Sequence, residues 1–345
     1  MVANSPSDVV KTSHCVCDFK RSTVDKGYYE DNFIKYFSSP SDQSPSLHMW
    51  FYMRVTALRT LLSVFVESFP QEVQFVNLGA GLDTLSFYLL SKYKNVVCFD
   101  LDFKDHLLYK TELLTKSNGF EFLNYQVVDG LVKSNKYTMV AMDFEDLESV
   151  YKLEKFGLSR HLPTVFLSEF CLTYVQNDTS DQVIKFLSSF SSKPSAYIFL
   201  DYIGSWTAFG QWYSKLFENF GAEFKSFKKF DTIEKHTQRY KELGWDHVMV
   251  NPMSFTYNEL ITEQERSRLK DLSKFDNFDY FAVLPNHTVI GAAVTQKEQL
   301  SRLIELYDMT NYVTKETSTL IPYDVGFRKD GLDVDYFKKM LHPFV

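Results

Sequence analysis

The stretch from Val73 to Phe103 constrains what this chain can fold into more than any other. Val73, Phe75, Val76 and Leu78 form an apolar run of strand length. Asn77-Leu78-Gly79-Ala80-Gly81 then removes side chains where a backbone would pass close to a ligand. Leu85, Phe87, Tyr88, Leu89 and Leu90 give the next segment the apolar content of a helix, and Val96 to Phe99 reads as a second strand. The spacing predicts a βαβ unit. In it Asp100 and Asp102 fall about 20 residues after the glycines, where a carboxylate can take the two hydroxyls of a ribose.

A dinucleotide fingerprint needs a third glycine three residues after the second, so that the helix N-terminus packs tightly and meets a pyrophosphate. Here that position is Thr84, preceded by Asp83. Two close-approach glycines and an acidic residue at the helix start suit a nucleoside with a cationic centre and no phosphate. S-adenosyl-L-methionine is the common nucleoside of that kind.

Lys and Arg total 37 against 44 Asp and Glu, a net charge of −7 with the signs interspersed, which argues against a nucleic-acid surface built on a general basic field. The 345 residues are 45% hydrophobic and 17% aromatic, enough for one large α/β domain with additions and for an aromatic-lined pocket. Cys15, Cys17, Cys98 and Cys171 have no metal-ligand spacing, so no metal is expected and reduced thiols are. With no apolar leader-like region and no run of about 18 uncharged apolar residues, a cytoplasmic protein without a membrane span is expected.

Along the chain, residues 1–14 read as polar and mobile. Asp18 to Phe37 reads as an amphipathic segment whose aromatic stripe (Tyr28, Phe33, Tyr36, Phe37) docks on the main domain, and Ser38 to Ser46 as a Ser/Pro-rich loop. His48 to Phe69 runs without Gly or Pro at helical spacing and ends at Pro70, with Arg54 amid its apolar surface; from the pattern alone that head snorkels to solvent. Further helices are expected over 105–116, 147–156, 178–190 and 208–219. Strands are expected over 137–142, 162–170 and 196–203. The run 162–170 is nearly continuous in apolar residues, as in a central parallel strand, and its end carries Glu169. Lys225-Ser226-Phe227-Lys228-Lys229 reads as a solvated basic face. Tyr280 to Val294 reads as two strands joined at Pro285-Asn286, a closing antiparallel hairpin. Residues 300–345 give no secure assignment. The expected architecture is α/β: a doubly wound, Rossmann-like class I methyltransferase sheet with a C-terminal antiparallel hairpin and N-terminal helical additions.

Several stretches in order resemble a family. They are the Lys20-Arg21 pair, Gly27 to Asp31, Phe51 to Val55, Asn77 to Thr84 (NLGAGLDT), Phe99 to Phe103, Asp129 to Leu147, Leu162 to Val175, Phe209 to Gln211 and Leu243 to Trp245. On these the chain resembles the leucine carboxyl methyltransferases, from roughly Lys20 to Val294. The resemblance implies a fold of one compact unit, with residues 1–70 as a helical segment contributing to the cofactor and acceptor pocket and 71–345 as the methyltransferase domain. It also implies that Lys20 and Arg54 hold the carboxylate of the cofactor's methionine part, which reverses the snorkelling reading of Arg54. Gly79 would lie against the cofactor, Asp102 would take the ribose, Asp143 and Phe144 would flank the adenine, and Glu169 would face the methionine amino group. The implied activity is methyl-ester formation on the C-terminal leucine carboxylate of the protein phosphatase 2A catalytic subunit, by a monomer. Two departures stand out: Met49-Trp50 where the family usually has Arg-Gly, and Glu145 where it has Arg. The first lies next to the pocket and bears on acceptor choice.

A leucine carboxylate is already ionised near pH 7, so such a reaction needs alignment and desolvation more than a strong base. The sequence accordingly offers no persuasive catalytic dyad. Tyr174 and Tyr202, just beyond buried strands, are the candidates for touching the acceptor. Two other readings fit the same motifs. One is a relative acting on a carboxyl group of a wybutosine-type tRNA base, although those enzymes carry a large additional repeat domain. The other is a methyltransferase-like binding protein without turnover.

Overall fold

The computed structural model describes residues 6–272 and 278–308. Nine strands occur among the described residues: β1 (Val73–Leu78), β2 (Val96–Asp102), β3 (Gln126–Val128), β4 (Leu131–Lys133), β5 (Tyr137–Ala141), β6 (Thr164–Glu169), β7 (Ser195–Tyr202), β8 (His247–Pro252) and β9 (Thr288–Val294). They form one sheet in the order β3-β4-β5-β2-β1-β6-β7-β9-β8. β5, β2, β1, β6 and β7 run parallel, while β9 is antiparallel to both β7 and β8. Every residue of β1, β7 and β9 is buried, which explains why these strands read as apolar runs and not as alternating patterns. The direction of winding reverses between β1 and β6, where an open α/β sheet leaves a crevice at its carboxyl edge.

The helices are α1 (Pro6–Asp25), α2 (Pro45–Glu67), α3 (Leu85–Lys92), α4 (Lys104–Thr115), α5 (Leu147–Val150), α6 (Asn177–Ser188), α7 (Ala208–Asn219), α8 (Ile233–Glu242), α9 (Glu263–Leu272), α10 (Phe278–Asn286) and α11 (Ser301–Tyr307). α2 begins with Ser44 accepting from the Leu47 N–H and Pro45 in its first turn, a strong start signal. Most of its length is buried, and it packs against α1, α10, α11 and β7. The expected docking of the aromatic stripe is seen: Phe33 and Phe37 lie 5.7 and 5.8 Å from the Phe87 ring.

Four expectations are corrected. Residues 6–14 belong to α1, and Val9, Ser13, Val16 and Lys20 recur at helical spacing on its cavity-lining side; the small polar residues between them masked that period. The helix expected over 147–156 is two short pieces, α5 and a 3₁₀ turn at Leu153–Phe156. The basic run is only partly solvated, because Ser226 and Phe227 are buried between its lysines. Finally, the antiparallel closing pair exists, but the partner of β9 is β8; residues 280–285 lie in α10, which packs on α2 and β9. A short apolar run does not distinguish strand from buried helix by periodicity, and Pro285 is accommodated in the last turn of α10. Of residues 300–345, left unassigned from sequence, 301–307 form α11 and those beyond 308 lie outside the described residues.

Candidate active site

A cavity of about 420 Å³ opens at the carboxyl edge of the parallel strands, a size within the roughly 300–1,000 Å³ of small-molecule sites. Lys20, Arg54, Gly79, Asp102, Asp143, Phe144, Glu169, Tyr174 and Tyr202 all line it. α1 supplies Lys20 and α2 supplies Arg54; the others sit at or just beyond the ends of β1, β2, β5, β6 and β7.

The glycine turn after β1 is forced by geometry. Gly79 and Gly81 adopt φ of +67° and +47°, the left-handed region that side chains disfavour. A Cβ on Gly79 would stand 2.5 Å from Cys171 Sγ, and one on Gly81 would stand 2.3 Å from Ser13 Oγ. The turn therefore presents backbone to the cavity because the segment just after β6 and α1 press on it from either side. Burial pushes the Cys171 thiol well above its ordinary range, with Asp102 adding to the effect, which makes it a packing group and not a nucleophile.

At one wall four charged side chains meet. Lys20 Nζ donates to Asp83 Oδ1 at 2.8 Å and to Glu169 Oε2 at 3.1 Å, and Arg54 Nε pairs with Glu169 Oε1. Lys20 and Arg54 are each only about 4% exposed, so the snorkelling expected of Arg54 from the pattern alone does not occur. Burial disfavours both cations, yet the carboxylates outweigh it and hold each pKa above its ordinary value. The Arg54 guanidinium also lies 4.8 Å from the Phe170 ring centroid and 5.2 Å from that of Trp50, a cation–π setting. Asp83, read from sequence as the partner of a cationic ligand, instead faces Lys20; its carboxyl is held below the usual range by that ammonium against the effect of burial. Two cations and two anions sum to zero, so a zwitterionic amino-acid group can replace these contacts without leaving net buried charge.

Deeper along β2, Asp102 Oδ2 accepts the Gly81 N–H at 2.6 Å and Oδ1 accepts the Phe103 N–H at 2.7 Å, fixing the carboxylate beside the turn. Asp100, offered by the same spacing, is separated from it: it points into the core, fully buried, and pairs with Lys110. Phe144 is buried against the cavity, while Asp143 is exposed and accepts the Glu145 N–H at 2.9 Å. Glu145, one of the two departures, is exposed and accepts from the Gln176 N–H, tying the β5 loop to the segment after β6.

The other end of the cavity is aromatic. Phe170 stacks on Tyr202 at 4.4 Å, and the Tyr202 and Tyr213 hydroxyls are 3.0 Å apart. Trp50, the second departure, lies 6.1 Å from Phe170, and its indole N–H donates to Thr288 Oγ1. Burial holds the phenols of Tyr174 and Tyr202 above their ordinary range and pushes Tyr213 up to about 12, so these groups are hydrogen-bond donors and acceptors, not bases. Sequence reasoning missed Tyr213, which sits in an aromatic run on α7 that reads as core. It also missed His106, in the first turn of α4 four residues after Asp102, where that short spacing was the available signal.

A doubly wound sheet closed by an antiparallel pair, with a two-glycine turn, a carboxylate fixed beside it at the end of β2 and a charge-balanced wall at the switch point, is the fold and site of an S-adenosylmethionine-dependent methyltransferase. The sequence model for leucine carboxyl methyltransferase matches residues 18–188, and the chain belongs to that family. Among its relatives, Leucine carboxyl methyltransferase 1 homolog of Arabidopsis thaliana is 26% identical over 80% of this chain and 85% of its own length. Leucine carboxyl methyltransferase 1 of Caenorhabditis elegans is 24% identical over 84% and 93%. The tRNA wybutosine-synthesizing protein 4 of Homo sapiens is 25% identical over 79% of this chain, but that match spans only 42% of its length. A solved structure from Thermobifida fusca described as a methyltransferase superposes with a TM-score of 0.50 at 12% identity, covering 81% of this chain and 93% of that one, a likeness of fold.

Proposed function

We propose that this protein forms a methyl ester on a carboxylate, and that its acceptor is the C-terminal leucine carboxylate of the protein phosphatase 2A catalytic subunit. The observation that carries the reading is the pairing of a charge-balanced wall with an aromatic end, where burial holds the phenols of Tyr174, Tyr202 and Tyr213 above their ordinary range so that none of them serves as a base. An alcohol or amide acceptor would need deprotonation there, whereas a carboxylate arrives ionised near pH 7. The apolar side chain of a leucine also suits the walls of Trp50, Phe170 and Phe217. The sulfonium donor supplies a methyl group and departs as a neutral thioether, while the acceptor oxygen becomes part of a neutral ester.

In this reading Lys20 and Arg54 hold the donor's amino-acid carboxylate, Glu169 its ammonium, Asp102 its ribose, and Asp143 with Phe144 its adenine beside the Gly79 turn. Tyr202 and Tyr174 orient the acceptor carboxylate, and the aromatic wall excludes water. Holding reacting atoms at about 3–3.5 Å in line can lower a barrier by on the order of 7–11 kcal/mol without a general base. The relatives named for leucine carboxyl methylation support the acceptor class.

The test is incorporation of labelled methyl groups into phosphatase core enzyme, compared with the same enzyme lacking its terminal leucine. Base-labile label in the first and none in the second is expected. Equal labelling of the two, or none in either, would refute the acceptor.

A further inference from the structure

We propose that His106 is a second acceptor for the ribose hydroxyls of the bound nucleoside, completing a task that Asp102 alone cannot. The inference rests on the donor reading above. A ribose diol brings two O–H donors, and a carboxylate offers about four lone-pair positions. On Asp102 two of these are taken by the Gly81 and Phe103 N–H groups, and His106 Nδ1 stands 3.4 Å from Oδ2, facing a third. One position is left for two hydroxyls.

His106 is placed to take the other. It lies in the first turn of α4, four residues after Asp102, lines the cavity, is 3% exposed, and runs so close under the glycine turn that a Cβ on Gly81 would be 3.2 Å from its Cε1. In the neutral ring tautomer with its proton on Nδ1, toward the carboxylate, Nε2 is an acceptor. That Nε2 is buried with no hydrogen-bond partner among the described residues. An unsatisfied buried acceptor costs free energy that a ligand hydroxyl recovers. On its outer side the ring meets His14 of α1 at 5.8 Å between centroids, and Tyr109 closes on His14 at 5.2 Å. α1 thus roofs this corner, and the cavity that His106 lines is the neighbouring space a ligand can enter.

The experiment measures binding of S-adenosylhomocysteine, and of its 2′-deoxy and 3′-deoxy analogues, by titration calorimetry with the wild-type protein, His106→Phe and His106→Gln. The phenylalanine keeps the ring and removes both nitrogens; the glutamine keeps an acceptor. His106→Phe should weaken S-adenosylhomocysteine about tenfold, and His106→Gln less. One deoxy analogue should bind the wild-type protein several-fold more weakly than the parent, yet bind His106→Phe as well as the parent does. A melting curve like that of the wild type confirms that both variants fold. An equal deoxy penalty in the wild-type protein and in His106→Phe, or unchanged parent affinity, overturns this assignment alone. A wild-type protein with no affinity for S-adenosylhomocysteine overturns both the assignment and the donor reading.

Discussion

Two buried charge clusters lie on either side of the glycine turn, built from similar groups and set to different purposes. Behind the turn, Lys110 and Asp100 are both 0% exposed and 2.8 Å apart. Asp100 is completed by Tyr137 Oη at 2.7 Å and Ser86 Oγ at 2.5 Å, and Lys110 also donates to the Asp83 carbonyl at 2.8 Å. In front of it, Lys20, Arg54, Asp83 and Glu169 satisfy one another on the cavity wall. The first cluster is closed on all sides by the scaffold and locks α3 and α4 to β2. The second is balanced but open on one side, so its partners are exchangeable. Whether a buried ion pair is structural or functional is decided here by access and not by residue type.

Removing one partner of each cluster tests that contrast. Lys110→Met strands the Asp100 carboxylate in the core and should cost about 3–5 kcal/mol of stability, read as a fall in denaturant midpoint. Arg54→Ala leaves Glu169 with Lys20 and access to the cavity. It should lower stability less, while weakening donor binding tenfold or more, about 1.4 kcal/mol. If Arg54→Ala unfolded the protein as readily as Lys110→Met while the affinity of the folded fraction stayed unchanged, the front cluster would be structural too. Asp102→Ala, at the other side of the turn, should match Arg54→Ala in its loss of affinity.

The same contrast marks what could be read from the sequence. The β1 turn, Asp102 and Glu169 were legible because strands buried on both faces write themselves as apolar runs, and a carboxylate ending such a run has few places to go but the sheet edge. Asp100 and Asp102 were not separable from each other, since both point to the same face of β2 and differ only in what lies above them. α1 was hidden because a helix lining a polar cavity carries Thr12, Ser13 and Lys20 on the face that would otherwise be apolar. The partner of β9 was unreadable because β8 precedes it by an insertion that includes α9 and α10, and no local pattern reaches across that length. Arg54 needed the family resemblance, because its burial depends on a carboxylate 115 positions away.

Acid titration sharpens the front cluster further. Burial alone would raise the Asp83 pKa, but Lys20 reverses this and, with Lys110, holds it below the model-peptide range. A carboxyl so depressed contributes stability that is fully present above the unfolded pKa of about 3.9 and is lost as pH falls through the lower folded value. In Lys20→Met burial is opposed less, so the folded pKa rises and this contribution to stability at neutral pH shrinks, by about 1.4 kcal/mol per unit of rise. Denaturant midpoints of the two proteins should therefore differ most near pH 6 and draw together toward pH 3. Superimposable curves would mean that Lys20 is not what keeps Asp83 ionised.

The smallest effect is expected where the cavity pairs polar groups without charge. Tyr202 and Tyr213 share one hydrogen bond between two hydroxyls, so one phenolic proton remains to be donated elsewhere. If Tyr202 turns that proton toward the acceptor while Tyr213 braces it, Tyr202→Phe should lower kcat/KM for the acceptor by a few-fold, about 0.5–1.5 kcal/mol, with donor affinity unchanged. Tyr213→Phe should have a smaller effect, and in the double variant it should add little, because its hydroxyl then has no phenol to position. Strictly additive losses would mean that the two hydroxyls act separately. A change in donor affinity would show that the aromatic end and the charged wall are a single binding surface, not two.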